Sequence, residues 1–252
     1  MHMRRWPRLW PAGLLEPATQ RLNQWQRVLD VLLPPRCVGC GRRGYEVCDQ
    51  CLAELRPLGP EQCPRCAAPS RGGRICSRCG GQPEALRAIL AQRAFEGTTR
   101  AAILAVKYRG RTRLVPFLAS GITQALETRP LTIDVVVPVP LAAGRLRTRG
   151  FNQSELLARE VSSKRGLPIE VGALIRNRET EPQTRLSARE RRRNVQGAFA
   201  ATQAESVAER RILLVDDVCT TGATLGACAI ELMAAGAAGV WGAVAARELP
   251  HR

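Results

Sequence analysis

The sequence has almost no histidine: His2 and His251 are the only two in 252 residues, so histidine plays no part in metal binding here. Lysine is nearly as scarce. Lys107 and Lys164 stand alone, and arginine supplies the rest of a formal charge of +16. Aromatic residues make up only 4%, which leaves few platforms for stacking bases. No apolar run approaches the ~18 residues of a membrane span. Pro7, Pro11 and Glu16 interrupt any signal-peptide core, so a cytoplasmic protein is expected. No G-x-x-x-x-G-K-[ST] sequence occurs, which excludes a Walker-type nucleotide site. What is present suffices for a packed core, since 45% of the residues are apolar. The length allows one large domain, or a medium one with a small partner. An excess of arginine favours polyanions: nucleic acid, phosphorylated ligands or an anionic membrane surface. Coding bias is the alternative source of the skew.

Cysteine is the exception to this sparseness. Eight of the ten cysteines form four C-x-x-C pairs, Cys37/Cys40, Cys48/Cys51, Cys63/Cys66 and Cys76/Cys79. In a cytoplasmic protein such pairs indicate metal. Four thiolates around Zn²⁺ close a tetrahedron and leave no position for water, so two structural zinc sites are expected. Sequential quartets would give a double ribbon, and alternate pairing would give a cross-brace. Loops of seven and nine residues favour the sequential arrangement. A segment this short holds too little core to fold unaided, so metal supplies most of its stability.

Arg211–Leu225 is the richest stretch for chemistry. Ile212–Val215 reads as a buried parallel strand, with Asp216 and Asp217 at its carboxyl end. Thr220, Thr221, Gly222, Ala223 and Thr224 then form a tight loop leading into a helix from about Ala223 to Ala235. Free N–H groups at a helix start hold anions, phosphate above all. Acids beside a phosphate cradle suit a sugar phosphate, because they accept from ring hydroxyls. A plain strand-to-helix turn with solvated acids is the bland alternative.

The rest of the chain falls into three parts. Residues 1–36 are an extension in which Leu15, Ala18, Leu22, Trp25, Leu29 and Leu32 share one helical face before Pro34-Pro35 stops the helix. This helix either docks on its own protein or touches a membrane or partner, the latter supported by Arg4, Arg5 and Arg8. Residues 37–82 are the cysteine module, and 83–252 alternate β and α as a mostly parallel, doubly wound sheet. Strands are expected at Ile89–Phe95, Asp134–Val139, Ile169–Ile175 and Val240–Ala246. Helices are expected at Thr98–Tyr108, Val115–Glu127 and Ser154–Lys164. Arg145, Arg147 and Arg149 crowd the junction before the last of these, where guanidinium forks suit a pyrophosphate. A solvated basic loop is the alternative. Ser187-x-x-Glu190 is a capping box opening a short helix that carries Arg189, Arg191, Arg192 and Arg193.

In order, the chain presents the cysteine module, L-A-V-K-Y-R-G-R at 104–111, V-P-V-P-L at 137–141, R-G-F-N-Q at 149–153, R-N-R-E-T-E-P-Q at 176–183, R-R-R-N at 191–194 and V-D-D-V-C-T-T-G-A-T at 215–224. From about Val28 to Arg247 it resembles the ComF family, amidophosphoribosyltransferase-like proteins named for natural competence. The resemblance implies a type I phosphoribosyltransferase-like sheet flanked by helices, behind an N-terminal double zinc ribbon. It assigns catalytic and ribose-binding roles to Asp216 and Asp217, and the 5′-phosphate of phosphoribosyl pyrophosphate to Thr220, Thr221, Gly222, Ala223 and Thr224. Pro138 and Val139, with Arg145, Arg147 and Arg149, would lie near the pyrophosphate, whose Mg²⁺ would be held by ligand oxygens and water. Residues 177–197 would be a flexible loop. Cys219 stands where the family usually has an aliphatic residue and is expected to pack without chemistry, as is Cys228. The zinc module takes the place of a nucleobase-binding hood, and nothing in it marks an acceptor.

Three functions follow from these expectations. One is a competence factor contacting single-stranded DNA and competence proteins, a helicase-type partner among them. The second is a transferase with an unknown small acceptor. The third is a sensor in which phosphoribosyl pyrophosphate regulates binding to nucleic acid or protein.

Overall fold

The computed structural model describes residues 34–77, 79, 85–178 and 188–249. The amphipathic helix expected before Pro34, the junction at 82/83, and residues 179–187 of the expected flexible loop, Ser187 among them, lie outside them.

A four-stranded parallel sheet carries the larger unit. Its strands are β1 (Ala88–Leu90), β2 (Val135–Pro138), β5 (Arg211–Cys219) and β6 (Gly239–Arg247), in the order β1-β6-β5-β2. A separate antiparallel pair joins β3 (Leu174–Arg176) to β4 (Phe199–Ala201). Side chains of β5 alternate between two cores. Ile212 and Leu214 enter one, and Leu213 and Val215 enter the other. All four are fully buried, as a parallel strand covered on both faces requires.

One face is covered by α2 (Gly97–Arg109), α3 (Val115–Glu127) and α5 (Gln153–Arg165). The other is covered by α8 (Ala223–Ala234), by the β3–β4 pair and by part of the cysteine module. The short helices α1 (Asp49–Ala53), α4 (Ala143–Arg149), α6 (Ala188–Val195) and α7 (Ala204–Val207) complete the described elements. Parallel strands with helices on both faces, preceded by a double ribbon of cysteine clusters, are the architecture the sequence predicts.

Three elements differ from expectation. The strand expected at Ile89–Phe95 stops at Leu90, because the next backbone groups turn to the cysteine module: Leu58 donates to the Gln92 carbonyl at 2.8 Å and Pro57 bridges Arg93. The run Ile169–Ile175 is broken by a turn at Val171-Gly172. Ile169 makes a lone parallel bridge to Val136, and Leu174 onward pairs with β4 instead. Arg145, Arg147 and Arg149 lie on helix α4 rather than in an open junction. Gly150 closes that helix in the left-handed conformation (φ 81°), which costs glycine nothing.

Candidate functional site

The carboxyl ends of β2 and β5 open into one cavity of about 1490 Å³. In open α/β sheets this is the edge where ligands bind. Its walls include Val139, Arg145, Arg149, Asp216, Asp217, Thr220 and Thr224, so residues from three separate sequence motifs and the arginine-rich junction meet there. Pro138, Arg147, Thr221, Gly222 and Ala223 do not line it. Pro138 is buried in β2, Arg147 is exposed on α4, and Gly222 and Ala223 shape the loop's backbone.

The R-G-F-N-Q sequence assembles the acid pair. Asn152 caps α5 by accepting from the Ser154 amide at 3.1 Å, and its side-chain amide donates to the Val139 carbonyl at 3.0 Å. That links the start of α5 to the loop after β2. Gln153 and Ser154 in the first turn then face the acids: Ser154 Oγ donates to Asp216 Oδ1 at 2.7 Å, and Gln153 Nε2 donates to Asp217 Oδ1 at 3.2 Å. Arg149 in turn donates to Gln153 Oε1. Lys107, in the last turn of α2, reaches across to ion-pair with Asp217 Oδ2.

The two acids therefore differ. Burial would raise Asp217, but the Lys107 ammonium overrides it and holds that carboxyl below the usual range. Asp216 keeps partial exposure to the cavity, yet burial of its carboxyl and the neighbouring Asp217 charge push it up to about 7. The hydroxyl of Ser154 opposes that rise. Near neutral pH the site thus holds one firmly ionised carboxylate and one poised to gain or lose a proton.

The loop that follows runs from Thr220 to the start of α8. Gly222 takes the left-handed conformation (φ 81°), and the Ala223 amide donates to Thr221 Oγ1 at 3.3 Å. Thr220 and Thr224 line the cavity beside the first turn of α8, the positive end of a helix dipole, which favours an anion. Arg145, Arg149 and Arg176 add positive charge to the cavity lining.

Sequence reasoning missed Lys107, Gln153 and Ser154 as partners of the acids, although all three lie in or beside quoted motifs. Lys107 carried a signal, being one of only two lysines in an arginine-rich chain. Tyr108 was missed as well. It lines the cavity at 74% exposure with the Arg149 guanidinium 5.9 Å from its ring. Cys219 and Cys228 are buried in the core, as expected.

The eight paired cysteines gather sequentially. Ligand atoms of Cys37, Cys40, Cys48 and Cys51 lie within 4.8 Å of one another, as do those of Cys63, Cys66, Cys76 and Cys79. Four sulfurs about 2.3 Å from a Zn²⁺ ion would be about 3.8 Å apart. The Cys40–Cys48 and Cys66–Cys76 sulfurs are 3.5 and 3.8 Å apart. Amides of Cys48 and Cys76 donate to the sulfurs of Cys37 and Cys63 at 3.3 and 3.4 Å, favouring thiolates there. Burial works to raise Cys37, but the amides of Cys40, Cys48 and Gly39 bring it down to about 6. Both clusters fit Zn²⁺. They differ in surroundings: Cys63, Cys66 and Cys79 belong to the main core, whereas Cys37, Cys48 and Cys51 form their own small cluster.

Residues 28–80 match the double zinc ribbon domain. Over 202 residues the chain is 32% identical to DNA utilization protein YhgH of Escherichia coli, covering 78% of this chain and 88% of that one. It is 30% identical to competence protein F of Haemophilus influenzae (75% and 80% covered) and 28% identical to competence protein ComFC of Bacillus subtilis (71% and 75%). Similar solved structures include glutamine phosphoribosylpyrophosphate amidotransferase from B. subtilis, with a TM-score of 0.35, 26% identity and coverage of 54% of this chain and 26% of that one. Adenine phosphoribosyltransferase from Thermoanaerobacter pseudethanolicus is another, with a TM-score of 0.32, 16% identity and coverage of 56% and 69%.

Proposed function

Since the chain belongs to the ComF family, with DNA utilization protein YhgH and competence protein F among its relatives, we propose that it binds phosphoribosyl pyrophosphate and acts in DNA uptake or utilisation. The observation that carries the ligand is the convergence of Asp216, Asp217, the Thr220–Thr224 loop and Arg145/Arg149 on one cavity. Thr220, Thr224 and the α8 N-terminus receive the 5′-phosphate. Asp216 and Asp217 accept from the ribose hydroxyls. Arg145, Arg149 and the Lys107 ammonium, released from Asp217 by those hydroxyls, face the pyrophosphate. Among the described residues the metal-ligating clusters are the two cysteine quartets, so Mg²⁺ would arrive on the ligand's own oxygens.

A second reading, transfer of the phosphoribosyl group, draws support from the cavity's size. Its volume exceeds the roughly 300–1,000 Å³ of ordinary small-molecule sites, leaving room for an acceptor. Loss of pyrophosphate from the anomeric carbon builds positive charge on the sugar. The two carboxylates would stabilise it while the arginines neutralise the leaving group. The ligand-sensing alternative uses the same site without turnover.

Calorimetric titration with phosphoribosyl pyrophosphate and Mg²⁺ tests the proposal, comparing wild type with Asp216→Asn/Asp217→Asn. Saturable binding in the wild type that is lost in the double variant is expected. A wild type that takes up no ligand would sink the reading. Pyrophosphate release over a panel of bases and amines separates turnover from binding.

A further inference from the structure

Arg247, the last residue of β6, is buried to 1% exposure and spends its guanidinium on main-chain carbonyls from distant parts of the chain. Its Nε donates to the Cys66 carbonyl at 2.8 Å. Its Nη1 donates to the carbonyls of Cys219 at 2.7 Å, Thr220, and Glu248 at 2.9 Å. Cys66 belongs to the second cysteine cluster. Cys219 and Thr220 are where β5 ends and the Thr220–Thr224 loop begins. One planar, always-charged group thus joins a metal-cluster backbone to the backbone of the loop.

Two further contacts hold the same junction. The Ile89 amide donates to the Arg65 carbonyl at 2.9 Å, and the Glu248 amide donates to the Cys219 carbonyl at 2.9 Å. A buried guanidinium is tolerated only where its donors are satisfied, so displacing the Cys66 or the Cys219 carbonyl strands donors on the other side. A tetrathiolate zinc cluster carries net negative charge, which adds attraction for Arg247. The first cluster meets the larger unit elsewhere: Arg111 donates to the Arg36 carbonyl at 2.8 Å and pairs with Glu46, and Val38 and Val47 pack on the core beneath α2 and α3.

From this geometry we infer that Arg247 is a positioning residue through which the second cysteine cluster, when loaded with zinc, sets the shape of the Thr220–Thr224 loop. The inference rests on the proposed reading of that loop as a phosphate cradle only for its functional consequence. The coupling itself is a property of the ligand-free chain.

Hydrogen exchange of the full chain without ligand tests it, comparing wild type with Cys76→Ser, Cys40→Ser, Arg247→Lys and Cys76→Ser/Arg247→Lys. Losing the second-cluster zinc in Cys76→Ser should speed exchange of the 219–224 amides about tenfold, with Cys40→Ser leaving them unchanged. Arg247→Lys keeps the charge but loses the fork, and should produce the same acceleration with both zinc ions retained by metal analysis. The double variant should be no faster than either single one. Additive effects, an equal response to Cys40→Ser, or acceleration shared equally by the Leu213–Val215 amides would overturn the inference. If Arg247→Lys fails to fold, the contrast between Cys76→Ser and Cys40→Ser still decides it. Titration of the wild type with phosphoribosyl pyrophosphate is independent. Failure there removes the proposed ligand and leaves the exchange result standing.

Discussion

The ammonium of Lys107 on α2 is ion-paired with the carboxylate of Asp217 on β5, with the lysine side chain 21% exposed and the acid 7%. The pair lies where the sheet's carboxyl edge meets the cavity, and both residues line it.

Lys107→Met should destabilise the fold by about 3 kcal/mol at neutral pH, because it leaves a buried carboxylate without its partner. The sign follows from the depressed Asp217. Its contribution is present above the unfolded value of about 3.9 and is lost as pH falls through the lower folded value. Urea denaturation should therefore show wild type and variant converging below about pH 4. Curves that stay parallel well below that pH would contradict the pairing.

Asp216 titrates in the opposite sense. Its folded value is raised to about 7, so the stability it confers is complete below the unfolded value and is lost as pH rises through about 7. Asp216→Asn should flatten that decline and melt higher than wild type at pH 8. Ribose hydroxyls donate best to the ionised carboxylate, so affinity for phosphoribosyl pyrophosphate should rise across the same range in wild type only.

Gly222→Ala should weaken anion binding without unfolding the protein. Its φ of 81° disfavours a side chain, and an added Cβ would sit 3.0 Å from Ile89 Cδ1. The cost is about 1–2 kcal/mol, placed at the start of α8. Thermal melting should drop by a few degrees, while titration with phosphoribosyl pyrophosphate falls tenfold or more. Unchanged affinity would remove the loop from the site.

Loss of metal should affect the two ribbons unequally. Cys63→Ser opens a cluster whose sulfurs belong to the main core, so it should lower the melting temperature far more than Cys40→Ser, whose cluster stands apart. Metal analysis should find one zinc ion missing from each variant. Equal losses in melting temperature would show that the second cluster does not support the core.

Much of this protein is legible in its sequence because the signals are local. C-x-x-C spacing dictates which sulfurs can share an ion, and the short loops between pairs bring them together sequentially. Four apolar residues followed by Asp216-Asp217 and T-T-G-A-T specify a buried strand, a tight loop and a helix start, each fixed by the residues it contains. The limits are equally physical. Ile169–Ile175 has the composition of one strand, but strand pairing is a matter of which backbone groups face each other after a turn, and composition does not encode that.

Partnerships across the fold needed tertiary structure. Lys107 and Asp217 are far apart in the chain, and only the packing of α2 and α5 on the sheet brings an ammonium and the Gln153 amide to one carboxylate. Arg247 stands one residue past the strand expected at Val240–Ala246. Its burial among carbonyls of Cys66, Cys219 and Thr220 emerges only when the second ribbon closes on the carboxyl end of β5. The sequence by itself determined the two cysteine quartets, the acid pair at a strand end and the tight turn into a helix, because spacing along a chain sets local geometry. The structure alone decided which charges neutralise one another and which cluster touches the loop, because burial and long-range contact exist only once the layers have packed.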